Sequence, residues 1–314
     1  MQTKTLRLKD LTVRNNVFIA PMAGFTDYAF RRFMIEFGAG LTFTELTSAK
    51  GIVYGSKGNE ALLYTGESGD EAFTAAQIFG SDPYYMRKAC ESEELEKFKI
   101  VDINMGCPVP KVYKNGEGCA LLNNITLAES VVKDCVKSGK IITVKIRTGM
   151  KRGDDVAAEF ARMAESSGAS LVTVHGRVRE SYYSGEPDYN AIARAKAAVT
   201  IPLIANGGIF TEEDARLMID RTGADGVMLA RGAVNDPFLV AKLTGTPINL
   251  TLKEFILEHV KLRESTVGGR RAAVEFRKYV PCYFKGYPNA KELKTALMKA
   301  ESSDEIIKLI EENL

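Results

Sequence analysis

One strand–helix–strand unit decides the fold, and residues 202–233 contain it: PLIANGGIFTEEDARLMIDRTGADGVMLARGA. The apolar runs Pro202–Ala205 and Gly226–Ala230 predict two buried strands. Between them, Thr211 and the three acids after it predict a helix start, because a threonine N-cap and first-turn acids stabilise the free backbone N–H groups there. A strand, a crossover helix and a second parallel strand are the repeating unit of α/β proteins.

The same unit repeats along the chain. Eight apolar or β-branched runs begin 24 to 41 residues apart, which is enough for a strand, a helix and two loops. Continuous apolar character is typical of a parallel sheet buried on both faces. We therefore predict an α/β fold, a (β/α)₈ TIM barrel, with a doubly wound open sheet as the competing architecture. The runs are Val17–Ala20, Leu41–Thr44, Phe73–Ile78, Ile100–Asn104, Ile141–Ile146, Leu171–Val174, Pro202–Ala205 and Gly226–Ala230.

After Asn235 the strand pattern stops and a small C-terminal helical domain is predicted. We place the division near Thr244–Leu250, which gives a barrel over 1–244 and a helical domain over 245–314. Between Asn249 and Ala300, eleven Lys/Arg exceed five Glu, so this part is basic. The predicted helices are Leu252–Glu264, Ala273–Phe284 and Ala290–Asn313, separated by Gly268-Gly269 and Gly286-Tyr287-Pro288.

Composition excludes several classes of protein. Residues 1–10 lack the apolar core of a signal peptide, and no run of about 18 apolar residues could span a membrane. The five cysteines are scattered without a C-x-x-C pair, and there are two histidines, so neither a disulfide framework nor a metal site is expected. We expect a cytoplasmic protein; the sequence specifies neither a protein partner nor an oligomeric state.

Polar or glycine-rich elements follow most of the predicted strands. In a TIM barrel these strand ends meet at the C-terminal mouth, where the active site forms. The last two elements, Asn206-Gly207-Gly208 and Arg231-Gly232, predict a phosphate site ahead of a short helix from Asp236. Ordinary turn glycines are the alternative interpretation.

Three other strand-end residues carry chemistry. Lys145 in a barrel mouth is costly unless it has a function, and a cation there could stabilise a reduced flavin ring. His175 stands on the next strand, although a lone histidine is often a core residue. Cys107 follows the fourth strand and could act as a general acid if its pKa suits the working pH. A redox role would need a partner thiol, and nothing in the sequence brings Cys119 to it.

As a set, these stretches resemble the tRNA-dihydrouridine synthase family of flavoenzymes, from about residue 13 to 240. The matching stretches are APMAGFTD (20–27), QIFG (77–80), DINMGCPVPKV (102–112), GCALL (118–122), VKIRTG (144–149), VHGRVRESYYSGEPDY (174–189), IPLIANGGI (201–209) and DGVMLARGA (225–233). The family commonly has Asn-Gly-Asp where this chain has Asn206-Gly207-Gly208, and Gly-Arg where it has Ala230-Arg231.

The resemblance implies an FMN enzyme that reduces uridine in tRNA, with NADPH, or else NADH, as reductant. It assigns proton donation to Cys107 and contact with the target base to Asn104 and Arg177. It implies FMN contacts from the Pro21, Met22 and Ala23 backbone and from Gln77, Lys145, His175, Asn206, Gly207, Gly208, Ala230 and Arg231. Which uridine is modified depends on tRNA orientation and cannot be read.

The basic helical part is the expected tRNA-binding surface. Phosphate contacts from lysine and arginine give salt-sensitive affinity. The candidate cations are Lys261, Arg263, Arg270, Arg271, Arg277 and Lys278, with a solvated helix face as the alternative. Nearby aromatic residues could stack on bases but are more often core: Tyr279, Tyr283, Phe284 and Tyr287.

Three other functions remain open. One alternative is a related FMN-barrel oxidoreductase that acts on a free pyrimidine, in the style of dihydroorotate dehydrogenase. Such an enzyme would not need the basic helical part. A tRNA-binding protein without catalysis would need neither Cys107 nor Lys145. A sugar-phosphate isomerase would share the phosphate site but would not explain the stretch Asn104–Pro108.

Overall fold

The computed structural model describes residues 2–66, 69–288 and 290–314. Eight parallel strands follow one another around a barrel, in the order β3, β11, β10, β9, β8, β7, β6 and β4. A parallel bridge between Phe18 and Leu41 closes it. The strands are β1 Leu6–Leu8, β2 Leu11–Val13, β3 Val17–Ile19, β4 Thr42–Phe43, β5 Thr47–Ser48, β6 Thr74–Phe79, β7 Ile100–Met105, β8 Ile141–Arg147, β9 Leu171–His175, β10 Leu203–Asn206 and β11 Gly226–Leu229. The predicted TIM barrel is confirmed.

Helices pack around the barrel and continue beyond it. Asp82 caps α4 with Pro83 in the first turn. Thr211 caps α9, as predicted, and forms a capping box with Asp214. The helices are α1 Tyr28–Glu36, α2 Ala49–Val53, α3 Asn59–Leu63, α4 Pro83–Cys90, α5 Pro110–Lys114, α6 Ile125–Val136, α7 Ala157–Ser166, α8 Tyr189–Ala197, α9 Glu212–Thr222, α10 Arg231–Asn235, α11 Leu239–Thr244, α12 Leu252–Val267, α13 Gly269–Phe276, α14 Val280–Tyr283, α15 Ala290–Leu297 and α16 Ser303–Asn313. None of those in the described ranges is long and apolar enough to cross a membrane.

The barrel interior changes from apolar to polar toward the C-terminal ends of the strands. Alternate strand residues face the helices and form the large outer core, so their neighbours face inward. The lower interior is filled by Phe18, Phe43, Ile141, Leu171 and Ile204. The upper interior carries Gln77, Asp102, Asn104, Thr143, Lys145, His175 and Asn206. The strand period therefore gathers the polar side chains at the mouth.

An antiparallel hairpin, β1 with β2, seals the lower end of the barrel. Its Leu6, Leu8 and Val13 belong to the same buried cluster as the lower interior. Two residues connect the strands, and Lys9 adopts a positive φ of 54°. The hairpin was not predicted, although its alternating apolar residues indicate a half-buried strand pair.

Three predicted elements were wrong in their bounds. The helix after the last strand begins at Arg231, not Asp236. The predicted helix Ala273–Phe284 is two helices, and the second carries a proline in its first turn. The predicted helix Ala290–Asn313 is also two, because Ser302 starts a new helix by accepting from the Glu305 N–H.

Candidate active site

A row of buried polar side chains crosses the mouth from β6 to β8. Gln77 donates from Nε2 to the Asp102 carboxylate at 2.7 Å and accepts from Asn104 Nδ2 at 2.9 Å. The Thr143 hydroxyl donates to the other oxygen of Asp102. Burial raises the pKa of Asp102 to about 6, against the hydrogen bonds from Gln77 and Thr143. At neutral pH the row therefore ends on a carboxylate.

The loop after β7 holds Cys107 against this row. Asn104 Oδ1 accepts from the backbone N–H groups of Gly106 and Cys107, at 3.1 and 2.8 Å. Burial raises the pKa of the Cys107 thiol above its ordinary value, although the Val109 N–H and the cations Arg147 and Lys145 act in the opposite direction. Cys107 is therefore a nearly buried group that keeps its proton at neutral pH.

The second thiol that the sequence could not place lies beside this loop. The Cys119 N–H donates to the Cys107 carbonyl at 3.2 Å. Gly118 has φ +59°, and a Cβ there would lie 3.0 Å from that of Cys107. Both cysteines are free thiols. Glycine at 118 thus allows the two segments to pack.

Lys145 stands beside Asn104 in the β7–β8 register and donates to Asn206 Oδ1 at 3.2 Å. Burial lowers its pKa to about 8, and Arg147 acts in the same direction, while Asp102 opposes it. Asn206 is itself fixed, because its Nδ2 donates to the Met228 carbonyl at 2.7 Å. The ammonium is oriented by one neutral acceptor and keeps donors for a ligand.

His175 is neutral at the mouth. Burial and the surrounding cations, Lys145 and Arg147 first, hold its pKa well below the ordinary value. Arg177 Nη1 lies 3.3 Å from His175 Nε2. Because a guanidinium only donates, this contact assigns the proton to Nδ1 of the imidazole. Arg177 also donates twice to the Gly185 carbonyl, so it braces the loop after β9.

The loops after β10 and β11 meet as the sequence predicts for a phosphate site. Gly207 and Gly208 have φ of +118° and +71°, and a Cβ on Gly207 would lie 2.9 Å from His175 Cδ2. Within the part of the chain that the structure describes, their N–H groups donate to no acceptor. A Cβ at Gly232 would lie 2.0 Å from the Ile209 carbonyl, so that glycine joins the two loops.

Arg231 is exposed at this edge of the mouth, and Ala230 caps the helix it begins. The Arg231 guanidinium lies 5.1 Å from the ring centre of Tyr183 and 5.7 Å from that of Phe210. Open backbone donors beside an exposed arginine are groups that suit an anion.

The loop after β3 links the mouth to the C-terminal helices. Pro21 and Met22 are half-buried and Ala23 is exposed, and the Gly24 N–H donates to the Glu45 carboxylate. Farther along the loop, the Phe25 carbonyl accepts from the Tyr279 hydroxyl at 2.7 Å.

Asp27 anchors the same link. It caps α1 and lies 3.5 Å from Arg263 and 3.6 Å from Lys278. Arg263 also pairs with Glu275. The helical part therefore touches the loop on which the first predicted site residues stand.

The six predicted RNA-binding cations divide into two groups. Lys261, Arg270 and Arg271 are exposed, and Arg271 pairs with Glu275 across one helical turn. The other three are at most partly exposed and engaged inside the molecule: Arg263 and Lys278 with Asp27, and Arg277 with the Ala300 carbonyl. Of the nearby aromatic residues, Tyr279, Tyr283 and Phe284 are buried, and Tyr287 is exposed.

Two residues of the site were not among those singled out from the sequence. Asp102 ends the polar row, and its signal was two-residue spacing from Asn104 on one strand face. Arg147 is buried and donates to the Gly106, Val178 and Tyr182 carbonyls, so it joins the loops after β7 and β9. Its signal was the same two-residue spacing, from Lys145.

The donors at the mouth are of the types that bind a heterocycle carrying a phosphate. Gln77, Lys145 and the imidazole of His175 offer donors along one wall, and Gly207, Gly208 and Arg231 offer donors at the edge. This donor set suits the ring and phosphate of FMN, whose reduced ring is stabilised by a nearby cation.

Comparison with known proteins shows the family to which the chain belongs. The family model described as "Dihydrouridine synthase (Dus)" matches residues 18–314. A protein named tRNA-dihydrouridine synthase B from Pasteurella multocida is 35% identical over 292 residues, which cover 90% of this chain and 87% of that protein. One of the same name from Vibrio cholerae is 33% identical over 98% of both chains.

Solved structures agree on the fold. The old yellow enzyme homologue from Zymomonas mobilis superposes with a TM-score of 0.55 at 14% identity, over 80% of this chain and 95% of its own. At this identity the likeness concerns the barrel architecture alone.

Proposed function

The chain belongs to the dihydrouridine synthase family, and from this premise we propose that it reduces uridine in tRNA to dihydrouridine with FMN as its bound cofactor. The observation that carries the proposal is the nearly buried Cys107 thiol, on a loop that Asn104 holds at a mouth lined by Lys145, Gln77 and open backbone donors. FMN, when bound, would pass a hydride from NADPH or NADH to C6 of the uracil.

Cys107 then completes the reduction by giving its proton to C5. A general acid must hold its proton until the transition state, and burial of this thiol does so. Asn104 Nδ2 has one N–H that is not used in its bond to Gln77, and that N–H would stabilise negative charge on the uracil carbonyl. Arg177 has two further N–H groups beyond its three internal bonds, and we assign it a weaker contact with the same base.

For FMN we propose the set already named from the sequence. Gln77, Lys145 and His175 would face the ring, with the backbone of Pro21, Met22 and Ala23 on its other side. Asn206, Gly207, Gly208, Ala230 and Arg231 would hold the phosphate end. Gly208 replaces the family's aspartate at a positive φ that glycine adopts without strain, so the backbone donors there are sufficient.

The substrate uridine must leave its stack to reach the mouth. We propose that the helical part, 245–314, orients the tRNA, and that Lys261, Arg270 and Arg271 contact its phosphates because these three are exposed. Arg263, Arg277 and Lys278 would support that surface from within. With tRNA as substrate, the compartment that we propose is the cytoplasm.

The test is an absorbance spectrum of the purified protein, followed by incubation with NADPH and unmodified tRNA and mass analysis of the nucleosides. We expect a yellow protein that forms dihydrouridine. A yellow protein that oxidises NADPH but leaves tRNA unmodified would favour the free-pyrimidine reductase. A colourless protein that binds tRNA would favour the non-catalytic alternative.

A further inference from the structure

Asp102 is a buried carboxylate to which the proposed reaction assigns no role. It has 0% exposed surface, and it faces inward one layer below Asn104. Its two oxygens accept from Gln77 Nε2 and from the Thr143 hydroxyl. Burial of a carboxylate costs free energy unless hydrogen bonds compensate for it, so the bonds from Gln77 and Thr143 are needed to keep Asp102 in the interior.

The hydrogen bonds that start from Cys107 run in one direction. The N–H groups of Gly106 and Cys107 donate to Asn104 Oδ1, and Asn104 Nδ2 donates to Gln77 Oε1. Gln77 Nε2 then donates to Asp102. Backbone N–H groups can only donate and an ionised carboxylate can only accept. The two ends therefore fix which way each amide between them faces.

This orientation determines what the mouth offers to a ligand. Each amide nitrogen carries two hydrogens, and each spends one inside the row. Gln77 and Asn104 thus keep one N–H apiece, and Asn104 lies beside Lys145 in the β7–β8 register. If the acceptor at 102 were lost, Gln77 Nε2 would lack a buried partner, and its amide could rotate and release Asn104.

We propose that Asp102 is a positioning residue that, as the acceptor at the end of this row, fixes the amides of Gln77 and Asn104 and through them the loop that carries Cys107. The ligand that uses the free N–H groups rests on the proposed function. The effect on the Cys107 loop does not, since it is a property of the chain alone.

Two variants separate the acceptor from the charge. Asp102→Asn keeps an oxygen for Gln77 and turns its amide nitrogen toward Thr143, whose hydroxyl can accept. Asp102→Leu has a similar shape and no acceptor. Should the leucine variant not fold, Asp102→Ala replaces it. Thr143→Val is the matched control, because it removes the other hydrogen bond to Asp102 and leaves the one from Gln77.

The first readout is the rate at which iodoacetamide alkylates Cys107 in FMN-free protein, with the peptide identified by mass. We expect Asp102→Leu to react at least about threefold faster, because the loop loses its anchor, and Asp102→Asn and Thr143→Val to stay near wild type. The second readout is the FMN dissociation constant, which should rise about tenfold for Asp102→Leu, equivalent to one oriented hydrogen bond.

Dependence on Gln77 is tested in a Gln77→Met background. If Asp102 acts through Gln77, Asp102→Leu changes the alkylation rate little once Gln77 is gone, whereas a general structural role gives the same change in both backgrounds. Equal alkylation rates of wild type and Asp102→Leu would overturn the proposal. An equal loss of FMN affinity in the asparagine and leucine variants would also overturn it. Failure of wild type to bind FMN would count against the proposed function alone.

Discussion

At the residue scale, Lys145 shows how burial prepares a group for a ligand. Burial and the nearby Arg147 lower the pKa of its ammonium, and burial and both cations lower the pKa of His175. Asn206 is its one hydrogen-bond acceptor within the described ranges. A ligand that supplies hydrogen-bond acceptors or negative charge would stabilise this buried cation.

The lowered pKa of Lys145 predicts a pH dependence of FMN binding. Below about pH 8 the ammonium is charged and attracts the ring, and above it the amine is neutral. The dissociation constant of FMN should therefore change little from pH 7 to 7.5 and increase from pH 8 to 9.5, by roughly three- to tenfold. Fluorescence titration of FMN measures it.

Lys145→Met should bind FMN more weakly at pH 7 and lose this pH dependence. Lys133→Met, which removes an exposed lysine of α6, is the control and should keep it. An unchanged increase in the dissociation constant of Lys145→Met above pH 8 would show that another group titrates.

At the element scale, the start of helix α14 contacts the loop after β3 and so joins the helical part to the mouth of the barrel. The Tyr279 hydroxyl donates to the Phe25 carbonyl, three residues beyond Met22. Tyr283, one turn later, bonds instead to His259 Nδ1 inside the helical part. The two tyrosines are buried alike and differ in what they hold.

Tyr279→Phe should lower the free energy of unfolding by about 1 kcal/mol and weaken FMN binding several-fold, because the loop loses its anchor. Tyr283→Phe should cost similar stability with no change in FMN affinity. Thermal unfolding and FMN titration measure the pair. Identical FMN affinities for both variants would mean that the helical part does not position the loop.

The strands and helices differ in how well they could be predicted from the sequence. The strands were predictable because buried parallel strands are continuous apolar runs, and Gln77, Lys145, His175 and Asn206 stood at their ends. Breaks inside the C-terminal helices were missed because Ser302 and Pro281 interrupt patterns that stay apolar on one face. The N-terminal hairpin was missed because each strand has three residues.

At the scale of the whole molecule, charge was the poorest guide. Six cations in a basic segment indicated one RNA surface, yet half of them serve internal contacts with Asp27 and the Ala300 carbonyl. Sequence counts charges but cannot tell which of them a distant carboxylate neutralises. The position of Cys119 beside Cys107 likewise follows from loop packing across the mouth.

An apolar hairpin seals one end of the barrel, and polar side chains line the mouth at the other end. Helices beyond the barrel contact one loop of that mouth. This arrangement would let a large substrate bind outside while one base enters. In the proposed reaction, Cys107 gives the proton that completes the reduction.

Two assays of wild type, Cys107→Ala and the control Cys119→Ala test this role of Cys107: reduction of bound FMN by NADPH, followed by absorbance, and dihydrouridine formed in tRNA, measured by mass. We predict that Cys107→Ala binds FMN and that NADPH reduces this FMN near the wild-type rate, but that the variant forms dihydrouridine at least about a hundredfold more slowly, the usual contribution of a general acid. Cys119→Ala should retain both activities. Dihydrouridine formation by Cys107→Ala at the wild-type rate would contradict the account.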